Sequence, residues 1–491
     1  MAPVTSLGPS ARTSPLAAQD LQELVEEERA RFGVPGVAVA VVHGGQVLLS
    51  GGAGHVGHEG PAVDERTAFP LASDTKAVTG TVLALLHSRG ALDLDAPVQR
   101  TLPWFRLGDP VRSACTTTRD LLAHRSGLAR HDLLWGAHPA ADVDEMTRKL
   151  ADLEVSLPFR HAWQYTNLGY VAAGHVAEVA TRSRWDDLVE ELALSPLGMA
   201  MTSTEPVPGL TLARPHRERD GTTVLTAMPV TSSVRPAGGL VTTAADLSRW
   251  LLARLGHRPE VLTDSVLVEA HTPAMVGGLI PPWPERHALG YALGSQVESY
   301  RGHRLLHHGG NLMGYASDVF LLPDADIGVA VLTNLQGSAL RNALPLRLID
   351  ALLGLPDADW GQRYQHVLRQ QQARVQPEPH APSAHALGET GTRPDLTGTY
   401  AHPAYGELRI ERRDKGVVVR LADLPLEMAL APTATGWDLV LAEFDKTAPV
   451  QLANDESDAP MALLIPLEPT TSPIRFTSTA GTSATTTGGA L

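Results

Sequence analysis

Ser73 stands three residues before Lys76 in the stretch "PLASDTKAVTGTVLALLHSRG", residues 70–90, and together they can do what neither residue does alone. A serine hydroxyl is a poor nucleophile until a neighbouring group takes its proton. At the start of a helix, residues three apart share a face, so Lys76 can reach Ser73, while the positive helix end favours negative charge at the serine oxygen. A lysine withdrawn from water, or set near other cations, loses enough basicity to act as a base. The competing reading is a helix cap followed by a solvated lysine. Coincidence has little room, because the chain has only four lysines, Lys76, Lys149, Lys415 and Lys446, and only Lys76 has a serine three positions earlier.

Acyl chemistry needs a proton for the leaving group and donors for the oxyanion. The segment "HAWQYTNLGY" offers Tyr165, the one tyrosine with an asparagine, Asn167, two positions on. In an extended segment such residues point the same way. A third group lies in "LLHHGGNLMGYASDVFLLPD", where His308, Gly309 and Gly310 sit in an apolar run that reads as a sheet edge beside a cleft, the glycines letting a substrate approach the backbone. By position, the N–H of Asn311 would join that of Ser73 as an oxyanion hole. His307 with Gly309 fits the same frame, but the spacing to Tyr315 favours His308. The bland alternatives are a loop aromatic and a turn residue at 165 and 167, and strand imidazoles at 307 and 308. His55, His58, His124, His131, His380 and His385 show no metal-ligand spacing, so no metal or cofactor is expected. No Gly-x-Ser-x-Gly elbow occurs.

Three segments so far apart can meet only if a fold holds them. Helical spacing begins at Asp20 and closes at Gly33. Two β runs then flank His43-Gly44-Gly45 as a hairpin. Ser73 to about Arg89 reads as a helix buried on most sides, a rigid mount for the pair. "TTTRDLLAHRSGL" is a capped short helix, the stretch 167–199 carries two more helical segments, and "GYASDVFLLPDADIGVAVLTN" is a second hairpin. Strands thus flank a helical middle, which predicts an α/β sandwich whose antiparallel sheet draws strands from both ends of the domain. After Trp360, "RQQQARVQPEPHAPSAHALGETGTRP" lacks apolar periodicity and reads as a linker. Short β runs at regular spacing follow to about Ser478, a small all-β module. The expected division is a tail at 1–18, a catalytic domain at 19–365, a linker at 366–393, a β domain at 394–478 and a tail at 479–491.

A chain of 491 residues suits one large domain and a smaller one. The formal net charge of −14 and the lack of a basic run argue against nucleic acid and anionic lipid as partners. Cys115 is the sole cysteine, which excludes an internal disulfide framework; it reads as a buried small hydrophobe. The first residues lack an apolar core behind a basic start, and nowhere do 18 apolar residues run together, so a chain without membrane attachment, in the cytoplasm, is expected.

Ser73-x-x-Lys76, Tyr165-x-Asn167 and His308-x-Gly310, in this order, resemble the three motifs of the serine β-lactamase and penicillin-binding-protein superfamily. "RDLLAHRSGL" at 119–128, "SPLGM" at 195–199, "RPAGGLVTTAADLSRW" at 235–250 and "LLPDADIGVAVLTN" at 321–334 look like segments of its class C β-lactamase-like branch. The likeness covers about residues 20–365. It implies a β-lactamase-like α/β sandwich with a helical subdomain, Ser73 as nucleophile, Lys76 as base, Tyr165 as proton carrier and Asn167 as an anchor for a substrate amide. His308 stands where many relatives have the lysine of Lys-Thr-Gly, which shifts weight from β-lactam hydrolysis toward esterase, peptidase or acyl-transfer roles. "DKTAPV" at 445–450 imitates Lys-Thr-Gly but has Ala448 and lies in the C-terminal module, so it is read as a chance match. That module, through "GTYAHPAYGELRI", resembles the lipocalin-like barrel appended to some of these enzymes, where it shapes the active-site mouth. The resulting expectation is a serine hydrolase or acyltransferase acting on small peptides, including D-residue peptides, or small esters. A stand-alone thioesterase or peptide cyclase using a carrier-bound or ester-activated peptide is the second enzymatic reading. A catalytically idle binding protein on the same scaffold is the third.

Overall fold

The computed structural model describes residues 17–57, 59–227, 231–278, 283–374, 395–414, 416–433, 436–442, 446–453 and 462–479. The expected tails at 1–18 and 479–491 fall almost wholly outside these residues.

Helix α1 (Ala18–Arg31) leads into the hairpin β1 (Gly36–His43) and β2 (Gln46–Gly54). The helical middle contains α2 (Thr75–Ser88), α3 (Asn167–Thr181) and α4 (Ala244–Arg254). The chain then returns to the sheet through β3 (Arg286–Tyr291), β4 (Gln296–Tyr300), β5 (His303–Leu312), β6 (Tyr315–Leu322) and β7 (Ile327–Thr333). Helices α5 (Leu340–Leu352) and α6 (Trp360–Arg374) follow. The seven strands form one antiparallel sheet in the order β2-β1-β7-β6-β5-β4-β3.

β1 is a continuous apolar run, GVAVAVVH, because both faces of the sheet are covered. Its alternate side chains enter two cores. Val37, Val39 and Val41 pack with Leu21 of α1 and Leu344 of α5, whereas Ala38, Ala40 and Val42 face the core that holds α2, α3 and α4. The sheet is therefore a wall between two layers, and α2, which carries Lys76 and follows the Ser73 turn, stands on one side of it.

The second unit is a closed barrel, β8 (Gly398–His402), β9 (Gly406–Arg413), β10 (Gly416–Leu421), β11 (Met428–Pro432), β12 (Trp437–Leu441), β13 (Lys446–Ala453), β14 (Ala462–Ile465) and β15 (Ile474–Ser478). β15 pairs back onto β8 and leaves no open edge.

Two expectations need correction. The linker does not start at 366, since α6 runs to Arg374: Gln and Arg are good helix formers, and Trp360 and Tyr364, four apart, pack on Trp283. The rest of the expected linker, 375–393, lies outside the described residues. Cys115 is exposed rather than buried, because it ends a short helix, Pro110–Cys115, that turns Arg112 and Ser113 inward instead. Among the described residues no helix is long and apolar enough to cross a membrane.

Candidate active site

Ser73 sits on a strained turn. Ala72 has φ 49°, a left-handed value that L side chains rarely adopt. It opens the tight turn Ala72–Asp74 that feeds α2. The turn is tied down on both flanks: the Leu71 N–H donates to Leu240 O at 2.7 Å, and Ser317 Oγ of β6 lies 2.8 Å from Leu71 O and 2.6 Å from Asp74 Oδ2. Within the run 71–80 only Ser73 is partly exposed.

Lys76, fully buried one turn on, places Nζ 3.1 Å from Ser73 Oγ, 2.8 Å from Asn167 Oδ1 and 2.7 Å from the carbonyl oxygen of Ala237. Burial holds this amine well below lysine's ordinary range; Arg130 pushes the same way, Asp132 and Asp74 the other. A neutral amine has two hydrogens and one lone pair. With the carbonyl oxygens of Asn167 and Ala237 taking the hydrogens, the lone pair is left to face the Ser73 hydroxyl.

Tyr165 comes from the extended segment before α3, with its hydroxyl 2.8 Å from Ser73 Oγ. Burial raises its phenol above the ordinary range, so the group stays protonated. Lys76 Nζ stands 4.9 Å from the Tyr165 ring centre and the Arg130 guanidinium 4.7 Å from it. Asn167 is the first residue of α3. Its Oδ1 serves Lys76 and its Nδ2 donates to Asp132 Oδ1 at 3.1 Å. Each polar end thus has one partner within the protein, which fixes the amide and leaves its second N–H for a substrate.

β5 is an interior strand, contrary to the expected sheet edge, yet the edge exists locally. β4 ends opposite His307, so residues 308–312 pair only with β6. Thr333 Oγ1 donates to Ala316 O, which turns the amide groups of Ala316 toward β7. By the alternation of antiparallel pairing, its partner Asn311 directs its N–H away from β6, onto the open edge. Gly310 presses on the nucleophile turn, since a Cβ there would stand 2.8 Å from Ala72 Cβ and 2.9 Å from Leu71 O. A Cβ at Gly309 would meet Asp318 and Arg341.

The two neighbouring histidines separate cleanly. His307 faces the far side, stacked on Phe320 and 3.0 Å from Glu298 Oε1. The His308 ring lies 6.0 Å from that of Tyr165 and 6.1 Å from that of Tyr291. Its Nδ1 is 3.0 Å from Gly309 O, which assigns the proton to that nitrogen. Burial and the adjacent Lys76 hold His308 well below its ordinary range, and the same causes act on buried His124, whose ring is 4.6 Å from that of Tyr165.

Arg130, Asp132, the carbonyl of Ala237 and His124 carry no motif and were missed as site residues in the sequence, although "RPAGG" and "LLAHRSGL" were singled out for their likeness. A cavity of about 620 Å³ adjoins the site between the two domains, with Arg130, Asp132 and Asn311 on one side and Leu424, Leu441 and Leu467 of the barrel on the other. Lys446, Thr447 and Ala448 also line it, so the segment read as a chance match belongs to the mouth.

An antiparallel sheet flanked by helices, with serine, lysine and tyrosine in mutual contact, is the arrangement of serine hydrolases of the β-lactamase and penicillin-binding-protein type. The chain belongs to this family: the Beta-lactamase family pattern matches residues 21–353. It is 29% identical over 425 residues to Unguisins hydrolase ungD' of Aspergillus campestris, covering 80% of this chain and 77% of that one. It is 30% identical over 325 residues to Penicillin-binding protein 4 of Amycolatopsis lactamdurans, covering 64% and 84%. Among solved structures, the octameric penicillin-binding protein homologue from Pyrococcus abyssi shares the fold over 94% of this chain and 100% of its own, with a TM-score of 0.61 at 18% identity.

Proposed function

We propose that the protein is a serine acyl-enzyme hydrolase that cleaves amide or ester bonds of small peptides, D-residue peptides among them, or of small esters. The observation that carries this reading is the aim of the Lys76 lone pair: two carbonyl oxygens hold the amine's hydrogens and Ser73 Oγ stands 3.1 Å away. Ser73 Oγ attacks the carbonyl carbon as its proton passes to Lys76 Nζ. The N–H groups of Ser73 and Asn311 receive the oxyanion. Tyr165, in contact with Ser73 Oγ, hands a proton to the leaving nitrogen or oxygen and is resupplied from Lys76. Gly309 and Gly310 let the strand pack closely against Arg341 and the Ser73 turn, and neutral His308 offers Nε2 as an acceptor beside the leaving group. Water then resolves the acyl-enzyme. The name Unguisins hydrolase, borne by a relative that matches 80% of this chain, supports hydrolysis. A nitrophenyl ester should give a burst and a mass adduct on the peptide containing Ser73; absence of both in folded protein overturns the reading.

A second reading, transfer of the acyl group to an amine, is favoured by the cavity. Its barrel side is mostly apolar, which suits a bulky peptidyl group from a thioester or activated ester and an amine that competes with water. A peptidyl thioester that yields only linear acid counts against it.

A further inference from the structure

A chain of hydrogen bonds that ends on Lys76 begins in the barrel. The loop between β14 and β15 carries Glu468, which is 4% exposed. Its Oε2 accepts the N–H of His131 at 2.8 Å, while Oε1 accepts the Thr470 hydroxyl at 2.9 Å and the Thr470 N–H at 3.3 Å. His131 has φ 47°, in the left-handed region, and no side chain caps the short helix Asp132–Ala137 that it precedes. It is held from other directions as well, with Nδ1 3.0 Å from the Tyr405 hydroxyl of the barrel and Nε2 3.3 Å from Glu154 O.

The next residue is Asp132, and its carboxylate decides which way the Asn167 amide points. A carboxylate accepts only, so Nδ2 must face it and Oδ1 must face Lys76. With Asp132 displaced, the amide is free to flip and to present NH2 to the amine. The lone pair of Lys76 then loses its fixed direction. The same barrel loop reaches a second site segment, since Gln164 Nε2, next to Tyr165, donates to Thr470 Oγ1 at 3.1 Å.

We infer that Glu468 is a positioning residue for acylation, acting through His131, Asp132 and Asn167 on Lys76, so that the barrel helps to assemble the site as well as to wall it. The inference rests on the reading of Lys76 as the base, and the experiment separates the two. In the full-length protein, the burst with nitrophenyl acetate, an ester too small to fill the cavity, gives the acylation rate constant and the saturation constant. Loss of the burst in Ser73→Ala and a fall of at least about 100-fold in Lys76→Met test the underlying reading alone. Glu468→Ala should lower the acylation rate constant by about 10- to 100-fold, as expected for a misplacement of the catalytic group, with a saturation constant within about twofold of wild type. Glu468→Gln, which keeps one acceptor oxygen, should recover most of that loss.

Asp132→Ala should show a similar fall, and adding Glu468→Ala to it should cost no more than about a further twofold, because coupled residues are not additive. A wild-type rate in Glu468→Ala, or its full factor repeated on the Asp132→Ala background, overturns the inference. Should Glu468→Ala fail to fold, Tyr405→Phe and Thr470→Val each remove one hydroxyl from the same clamp. Wild-type acylation in both would overturn it equally.

Discussion

Replacing Gly310 by alanine tests the contact on which the site geometry turns. The added Cβ would stand 2.8 Å from Ala72 Cβ and 2.9 Å from Leu71 O, against the 3.4 Å at which ordinary contact begins, and it would also meet Ser317 Oγ. The shortfall is about 0.6 Å to a carbon that no rotamer change can move, so β5 and the nucleophile turn must separate. That gap is the one across which the Ser73 and Asn311 N–H groups would converge on a single oxygen. A misplacement approaching 1 Å costs up to about 100-fold in rate, or about 2.7 kcal/mol of transition-state stabilisation. Overpacking itself costs about 1–3 kcal/mol of stability, well within what a domain of this size tolerates. Pre-steady-state acylation by a nitrophenyl ester, run beside thermal unfolding, reads the two effects separately. The expected result is a cooperative melt with acylation reduced by about 10- to 100-fold. Acylation at the wild-type rate in folded Gly310→Ala would refute the reasoning, because the strand and the turn would then not share a catalytic constraint.

Lys76→Met should lower acylation by at least about 100-fold, within the range for loss of a general base, and residual activity above a tenth of wild type would remove Lys76 from that role. Because the lysine is held well below its ordinary value and the amine must be neutral to accept a proton, acylation should rise with pH along one limb centred well below 10.5 and level off above it. Arg130→Gln removes a cation that depresses Lys76 and should move that limb to higher pH; Asp132→Asn removes an anion that raises it and should move the limb to lower pH, and shifts of the same sign in the two variants would assign the limb to another group. Glu298→Ala strips the buried Arg286 and His307 of their carboxylate partner and should cost about 3–5 kcal/mol in urea unfolding, as breaking a buried pair does.

The parts of the site that are local in the chain were legible in the sequence, and those made across it were not. Ser73 and Lys76 are one helical turn apart, and Tyr165 and Asn167 share a side of one short segment, so spacing alone exposes both pairs. The hairpins at 36–54 and 315–333 announce themselves by apolar runs around turn residues. Asp132 and Glu468 offer no such signal, since their partners are 35 and 337 residues away. The Ala237 carbonyl has no side-chain signature at all. Lys446-Thr447 is followed by Ala448 instead of glycine and lies in the other domain, so nothing short of the docking of barrel on sheet brings it to the mouth. The helix Trp360–Arg374 was lost for a different reason: its polar face set the composition, while the aromatic pair at 360 and 364 carried the periodicity. At 307 and 308 the spacing to Tyr315 favours His308, and the strand turns these adjacent side chains to opposite faces.

In the proposed reaction electrostatics favours Lys76 as the base over the two histidines packed beside Tyr165. Lys76, His124 and His308 are all buried around Tyr165, and each is pulled downward in basicity by burial and by a cation, Arg130 for Lys76 and Lys76 for the two histidines. Three bases in one apolar pocket can share no more than a single positive charge without large repulsion. In the proposed reaction the proton that leaves Ser73 is best placed on the member with an acid beside it. Of the three, Lys76 alone feels Asp132 and Asp74 raising its affinity. His124 is also spent structurally, since its Nδ1 accepts the N–H of Thr166 at 3.2 Å, and His308 holds its Nδ1 proton on Gly309 O. In the proposed reaction burial and Arg130 thus favour a neutral amine before attack, and Asp132 favours the proton on it afterwards, as a base that later returns the proton through Tyr165 requires.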